Sequence, residues 1–295
     1  MATMTYTVHE SLDPYKILAQ KKAMETDQLM RFGFKPVLWS RGESVFLIDT
    51  PWGYIAFVIE GLGTKCLAAD AIAELAQKLE VILGKTFYDQ VAQCNTAMTY
   101  NDMITLGALP LAYCQYAAVS SGNWFKNEKR SNDLAEGTKQ GCVKAGCVWA
   151  GGETPGLNGI IMPGTIDLAG GAVGWIAPKE RVFSPAKIKH GDVILLIYSS
   201  GIHANGLTMA RELVTRLPEG YLTKLPDGRT YGETLLDPTF IYVDLIEQCF
   251  KRGADIHYAV NVTGHGWRKL MRANRNFSNS SKNAARWMTK KHMAA

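Results

Sequence analysis

The stretch EGLGTK, residues 60–65, sets an acid, two glycines, a hydroxyl and an amine close together. Glu60 could hold a cation. Gly61 and Gly63 let a backbone approach a ligand, and Thr64 with Lys65 opens the next helix with donors suited to phosphate oxygens. A tight turn with a solvated lysine competes with that reading, since the P-loop signature is absent. In NDMITLGALP, residues 101–110, the Asp102 carboxylate could hold a hard cation and Asn101 could bind an anion. Taken alone, capping or a buried hydrogen bond is the plainer reading of the stretch. CVWAGGETPG ends an apolar run in two glycines and presents Glu153 and Thr154, as strand-end acids facing a ligand crevice do, or as a solvated loop would. SSGIHANGLTMAR carries His203 and Asn205 in a glycine-bracketed loop before a helix start, which suits an anion with a titratable group beside it. A surface loop with an incidental histidine is the plainer alternative. VNVTGHGW presents Thr263, Gly264 and His265 in a further loop of the ligand-approaching type.

Alternating elements must position these stretches. Hydrophobic period predicts helices over 11–30, 66–82, 86–107, 132–147, 205–217 and 237–252. SVFLID and GYIAFVIEG read as a strand pair around the turn TPWG, and LPLAYCQYAAV and CVWAGGE as strands. The run 160–175 reads as a strand interrupted by glycines, and VILLIYSS as a buried strand. The proline and charge content of APKERVFSPAKIKHGD suggests a linker, so the natural cut falls near residue 178, between domains 1–177 and 178–295. Strands alternating with helices predict mixed α/β layers in both halves.

A chain of 295 residues, 47% hydrophobic and 20% charged, can bury a sizeable core. Eight of its Lys and Arg residues fall between Asn261 and Ala295 with no acid among them, so the formal +5 less eight leaves residues 1–260 at −3. The basic character belongs to a tail, expected to be frayed over 278–295, and a nucleic-acid-binding face is not expected. No apolar run is long enough for a membrane helix and the first residues lack a signal-peptide pattern, so a cytoplasmic protein without membrane contact is expected. The six cysteines form no CxxC pair and are expected to be reduced core residues.

Taken in order, EGLGTK, ND....GA.P, GC..AGC...GGET, DLAGGAVG, SSGIHANGLT.AR, LLDPT.IYV and VTGHG resemble the aminoimidazole ribonucleotide synthetase family, also called phosphoribosylformylglycinamidine cyclo-ligase. The resemblance spans about residues 58–276. It implies a two-domain α/β fold: an N-terminal ATP-binding domain whose sheet dimerises, and a C-terminal mixed-sheet domain. It also implies ATP-dependent ring closure of formylglycinamidine ribonucleotide, in a homodimer that uses Mg2+. By the same resemblance Glu60, Asp102 and Glu153 would hold metal, and Gly61, Gly63, Thr64, Lys65, Asn101, Gly152 and Thr154 would bind ATP. His203, Asn205, Gly206 and Thr239 would bind the substrate, with Asp102, His203 and Lys65 catalytic and Asp167 supporting. The family carries Asp at the position of Glu60, has a glycine-rich segment before its GTK loop, and continues beyond the region of VTGHG, so an incomplete second domain is expected. Two other readings stay open: a small-molecule kinase such as thiamine monophosphate kinase, and a non-catalytic nucleotide-binding homologue.

Overall fold

A computed structural model describes residues 2–80 and 84–274, with side chains from residue 12 onward. The tail over 278–295 lies outside the described residues. Among the described residues no helix is long and apolar enough to cross a membrane.

The chain begins with helix α1 (Ala2–Met24) and the short strand β1 (Lys35–Pro36). Strands β2 (Phe46–Thr50) and β3 (Gly53–Gly61) follow as an antiparallel hairpin, Thr50 opposite Gly53. Next come helices α2 (Lys65–Lys78) and α3 (Tyr88–Met103), then β4 (Leu109–Val119), α4 (Glu128–Ala145), β5 (Val148–Glu153) and β6 (Ile166–Ile176). The six strands form one mixed sheet in the order β1-β2-β3-β6-β4-β5, with β4 and β5 parallel and the other pairs antiparallel.

One face of this sheet carries α3, and α4 packs on α3. Because α3 lies between two layers, it is buried along nearly its whole length. Its polar side chains therefore need partners inside the core. Asn95 Nδ2 donates to Tyr113 Oη (2.9 Å) and to the Ala169 carbonyl, and Gln93 Nε2 donates to the Thr239 carbonyl (2.9 Å). Glycines set the α3–α4 spacing: a Cβ on Gly137 would stand 2.1 Å from the Asp89 carbonyl oxygen.

Strand alternation puts Ala56, Val58 and Glu60 toward α3, and leaves Phe57 and Ile59 on the opposite, uncovered face, 43% and 78% exposed. Cys114 stands exposed on β4 for the same reason, and Cys147 and Cys249 are half-buried, so only Cys66, Cys94 and Cys142 sit in the core as expected.

Beyond β6 the segment read as a linker closes onto the first layers. Phe183 is buried, its N–H donates to the Leu106 carbonyl (3.0 Å), and Ser184 N–H donates to the His257 carbonyl. Gly107 admits this strap. It ends the α3 region at φ +82, and a Cβ there would meet the Arg181 carbonyl at 2.6 Å. Helices α5 (Leu207–Leu213), α6 (Tyr231–Leu235) and α7 (Val243–Lys251) follow, and a 3-10 stretch spans Gly266–Asn274.

The expectation of a buried strand in VILLIYSS is corrected. Residues 193–198 form no strand and are 61% to 91% exposed. No described strand lies beside them, so their backbone groups lack a ladder and their apolar side chains lack a second layer.

Candidate active site

Two elements bring the first acids together. Glu60 ends the covered face of β3, and Asp102 sits in the last turn of α3, almost fully buried. Their carboxyl groups hydrogen-bond to each other, and burial first, then the Asp102 charge, pushes the Glu60 pKa up to about 8. Glu60 therefore holds its proton at neutral pH. Asn261 Nδ2 donates to Asp102 Oδ1 at 2.7 Å, and the Lys269 ammonium stands 3.9 Å from Asp102 Oδ2 while donating to Thr263 Oγ1. Burial lowers the Lys269 pKa, and the Asp102 charge pulls it back up. Arg272 donates to Ser44 Oγ (2.7 Å) and acts on Glu60 as a second nearby cation.

Asn261 also connects this pair to a cavity of about 200 Å3, whose lining includes Asn101, His203, Asn205, Thr239 and Thr263. His203 is held at φ +56. Its Nε2 accepts the Ser200 N–H at 2.9 Å, which places the ring proton on Nδ1, and burial followed by Lys65 lowers its pKa. The imidazole is neutral at pH 7. Thr239 Oγ1 is buried without a hydrogen-bond partner, so the cavity offers an unsatisfied hydroxyl to whatever enters. Gly206, left-handed at φ +81, turns the chain from this loop into α5.

The structure gathers some of the residues marked from sequence and separates others. Asn101 holds the chain opposite, its Nδ2 donating to the Phe240 carbonyl (2.7 Å) and its Oδ1 accepting the Tyr242 N–H (3.0 Å). Gly61, Gly63 and Thr64 form an open turn at the N-terminus of α2, where a Cβ on either glycine would meet nothing. Lys65 does not share that opening. The expectation that it binds phosphate is corrected: it is fully buried, and its ammonium donates to the carbonyls of His203 (2.8 Å) and Asp237 (2.7 Å). A buried ammonium needs acceptors, and these two carbonyls supply them.

Glu153 does not join the acid pair. Glu60 is in register with Gly170, Gly170 with Gln115 and Gln115 with Gly152. Three strand spacings, roughly 14 Å, therefore separate Glu60 from the β5 edge where Glu153 is exposed. Gly152 serves the close β4–β5 pairing, since a Cβ there would stand 1.9 Å from the Gln115 carbonyl oxygen. Thr154 follows on the same exposed edge, and Asp167 lies on the uncovered face of β6. Among the described residues no three His, Cys, Asp or Glu side chains cluster as a metal cage.

The sequence reading missed Asn261 as a contact and counted Lys269 and Arg272 only within a basic run. A signal was available, because positions three apart on a 3-10 turn eclipse, which points both cations to one side.

Residues 42–176 match the family described as AIR synthase related protein, N-terminal domain. The chain is 36% identical over 209 residues to the phosphoribosylformylglycinamidine cyclo-ligase of Carboxydothermus hydrogenoformans, covering 70% of this chain and 55% of that one. It is 36% identical over 229 residues to the enzyme of the same name from Pyrococcus furiosus, covering 77% and 61%. The chain thus spans somewhat more than half the length of these relatives. A solved thiamine monophosphate kinase from Aquifex aeolicus aligns with a TM-score of 0.40 at 16% identity, over 68% of this chain and 56% of that chain.

Proposed function

The chain belongs to the AIR synthase related family through residues 42–176, and on that premise we propose that it closes the imidazole ring of formylglycinamidine ribonucleotide at the expense of ATP. The observation that carries this reading is the contact of Asn261 with Asp102 at the wall of the His203 cavity, which joins an acid pair to a polar pocket.

Glu60 and Asp102 would hold Mg2+, Glu60 giving up its proton as the ion binds; Mg2+ takes one or two carboxylates and completes its shell with water and phosphate oxygens, so two acids suffice. The bound ion would neutralise charge on the transferring phosphoryl group. The open turn at Gly61, Gly63 and Thr64 places backbone N–H groups of the α2 terminus where phosphates can approach. In the reaction the formamide oxygen attacks the γ-phosphorus and ADP leaves. The neighbouring nitrogen then attacks the same carbon, the C–O bond breaks and phosphate departs. Neutral His203 would donate from Nδ1 to a phosphate oxygen, and Asn205 and Thr239 would orient the substrate. Lys65, between the His203 and Asp237 carbonyls, positions the histidine loop. A homodimer in the cytoplasm, with a division into two domains near residue 178, completes the reading.

A second reading, nucleotide binding without turnover, is favoured by the Lys269 ammonium beside Asp102, where an internal cation competes with a metal. One assay separates the two. Purified chain is given ATP, Mg2+ and formylglycinamidine ribonucleotide, and imidazole formation is followed. Turnover that requires this substrate is expected, and Asp102→Asn should lower it by about 100-fold or more with an unchanged thermal midpoint. Phosphate release that needs a different acceptor would identify a kinase, and binding without release would identify the non-catalytic homologue.

A further inference from the structure

Helix α4 ends at Ala145, and the chain leaves it through Gly146 in the left-handed region, φ +65. The Cys147 N–H donates to the Cys142 carbonyl (3.1 Å) and the Gly146 N–H to the Val143 carbonyl (3.2 Å). These are the two reversed bonds of a Schellman motif, in which the side chains at the ends of the longer bond touch. Ordinarily that contact is apolar. Here both positions are cysteine, so the helix terminator itself brings two thiols together, and they hydrogen-bond to each other. The Tyr100 hydroxyl, from α3, reaches both sulfurs at 3.1 Å. Cys142 is buried and Cys147 half-buried, so a small solute reaches the pair from the Cys147 side.

We propose that Cys142 and Cys147 form a dithiol redox site which a hydroperoxide converts into a reversible intramolecular disulfide. The two backbones are already one hydrogen bond apart, and one tyrosine hydroxyl touches both sulfurs. Cys142 is the attacking sulfur. Hydrogen bonds with Cys147 and then with the Tyr100 hydroxyl hold its pKa down at about 7, while its partner's is raised. Tyr113 also faces the pair.

The Cys142 thiolate attacks a peroxide oxygen, the O–O bond breaks, and the departing hydroxide or alkoxide takes the proton released by the thiol. Cys142 becomes a sulfenic acid. The Cys147 sulfur then attacks the sulfenic sulfur, the S–O bond breaks, and water leaves with the Cys147 proton. Two electrons pass from the thiols to the peroxide, and a small dithiol returns them.

The sequence provides a direct test, because trypsin cuts after Lys139, Lys144 and Lys179 and so separates the cysteines into peptides 140–144 and 145–179. The full chain is treated with hydrogen peroxide, its remaining thiols are alkylated in denaturant, and the digest is mapped without reductant. A joined pair of peptides that dithiothreitol separates is the expected result. Cys147→Ser should instead leave a dimedone-reactive sulfenic acid on Cys142. In the unaltered protein, iodoacetamide capture of Cys142 should reach its half-point near pH 7. Oxidation of the exposed Cys114 under conditions that leave both 140–144 and 145–179 as free thiols would overturn the proposal. So would a capture half-point in the ordinary thiol range.

Discussion

Glu60 shows how a single carboxyl can read differently in sequence and in structure. From sequence it is an acid after a strand; in the fold, burial and a second carboxyl keep it protonated to about pH 8. The sign of the resulting pH dependence is fixed. The folded pKa lies above the unfolded 4.5, so the folded chain retains a proton that the unfolded chain releases. The contribution of Glu60 to stability is full below about 4.5 and is lost as pH rises toward about 8, with a slope of at most about 1.4 kcal/mol per pH unit for one proton. Glu60→Gln, neutral at every pH, should flatten that slope in denaturant titrations run across the window. Equal slopes in the two proteins would mean that Glu60 is ionised in the fold. Asn101 has the opposite history. Capping or a buried hydrogen bond was one of its two sequence readings, and its bonds to Phe240 and Tyr242 are of that kind.

At the scale of elements, the α3–α4 pair carries the site. Asp102 reaches Glu60 because α3 lies flat on the sheet, and α3 lies there because α4 closes over it through glycines. Gly137→Ala tests this spacing. Alanine favours the helix by about 1 kcal/mol, but its Cβ would sit 2.1 Å from the Asp89 carbonyl oxygen, which cannot move without moving α3. A net loss of about 2 kcal/mol is expected in urea unfolding, and an unchanged midpoint would show that the two helices are free to separate. Strands β2 to β5 follow their sequence pattern closely, β4 coinciding with LPLAYCQYAAV, because each has a partner in the sheet, whereas the pattern misses β1 and β6 starts six residues later than expected, at Ile166. Residues 193–198 have an equally apolar pattern and form no strand, since periodicity sets a strand's faces and a neighbour must supply its hydrogen bonds.

For the whole molecule, the uncovered sheet face is the feature that calls for a second copy. Phe57 and Ile59 project from it, and an apolar sheet face of this kind is normally covered by another layer. The proposed homodimer would pair two such faces. Ile59→Asp should then halve the mass seen by light scattering, from twice 32.5 kDa to 32.5 kDa, while circular dichroism stays unchanged, because a side chain 78% exposed in one chain adds little to that chain's own core. A single-chain mass for the unaltered protein would dispose of the dimer.

By itself the sequence determined the main strands and helices of the first half, the family to which residues 42–176 belong, and the His203 and Thr263 loops that line the cavity, because hydrophobic period and motif order are local properties of the chain. Only the tertiary structure decided which marked residues share a site. It joined Glu60 to Asp102, added Asn261 and Lys269, left Glu153 three strands away, and turned Lys65 inward to two carbonyls. Strand order, burial and the choice of hydrogen-bond partner depend on residues far apart in the chain, and no local pattern encodes them.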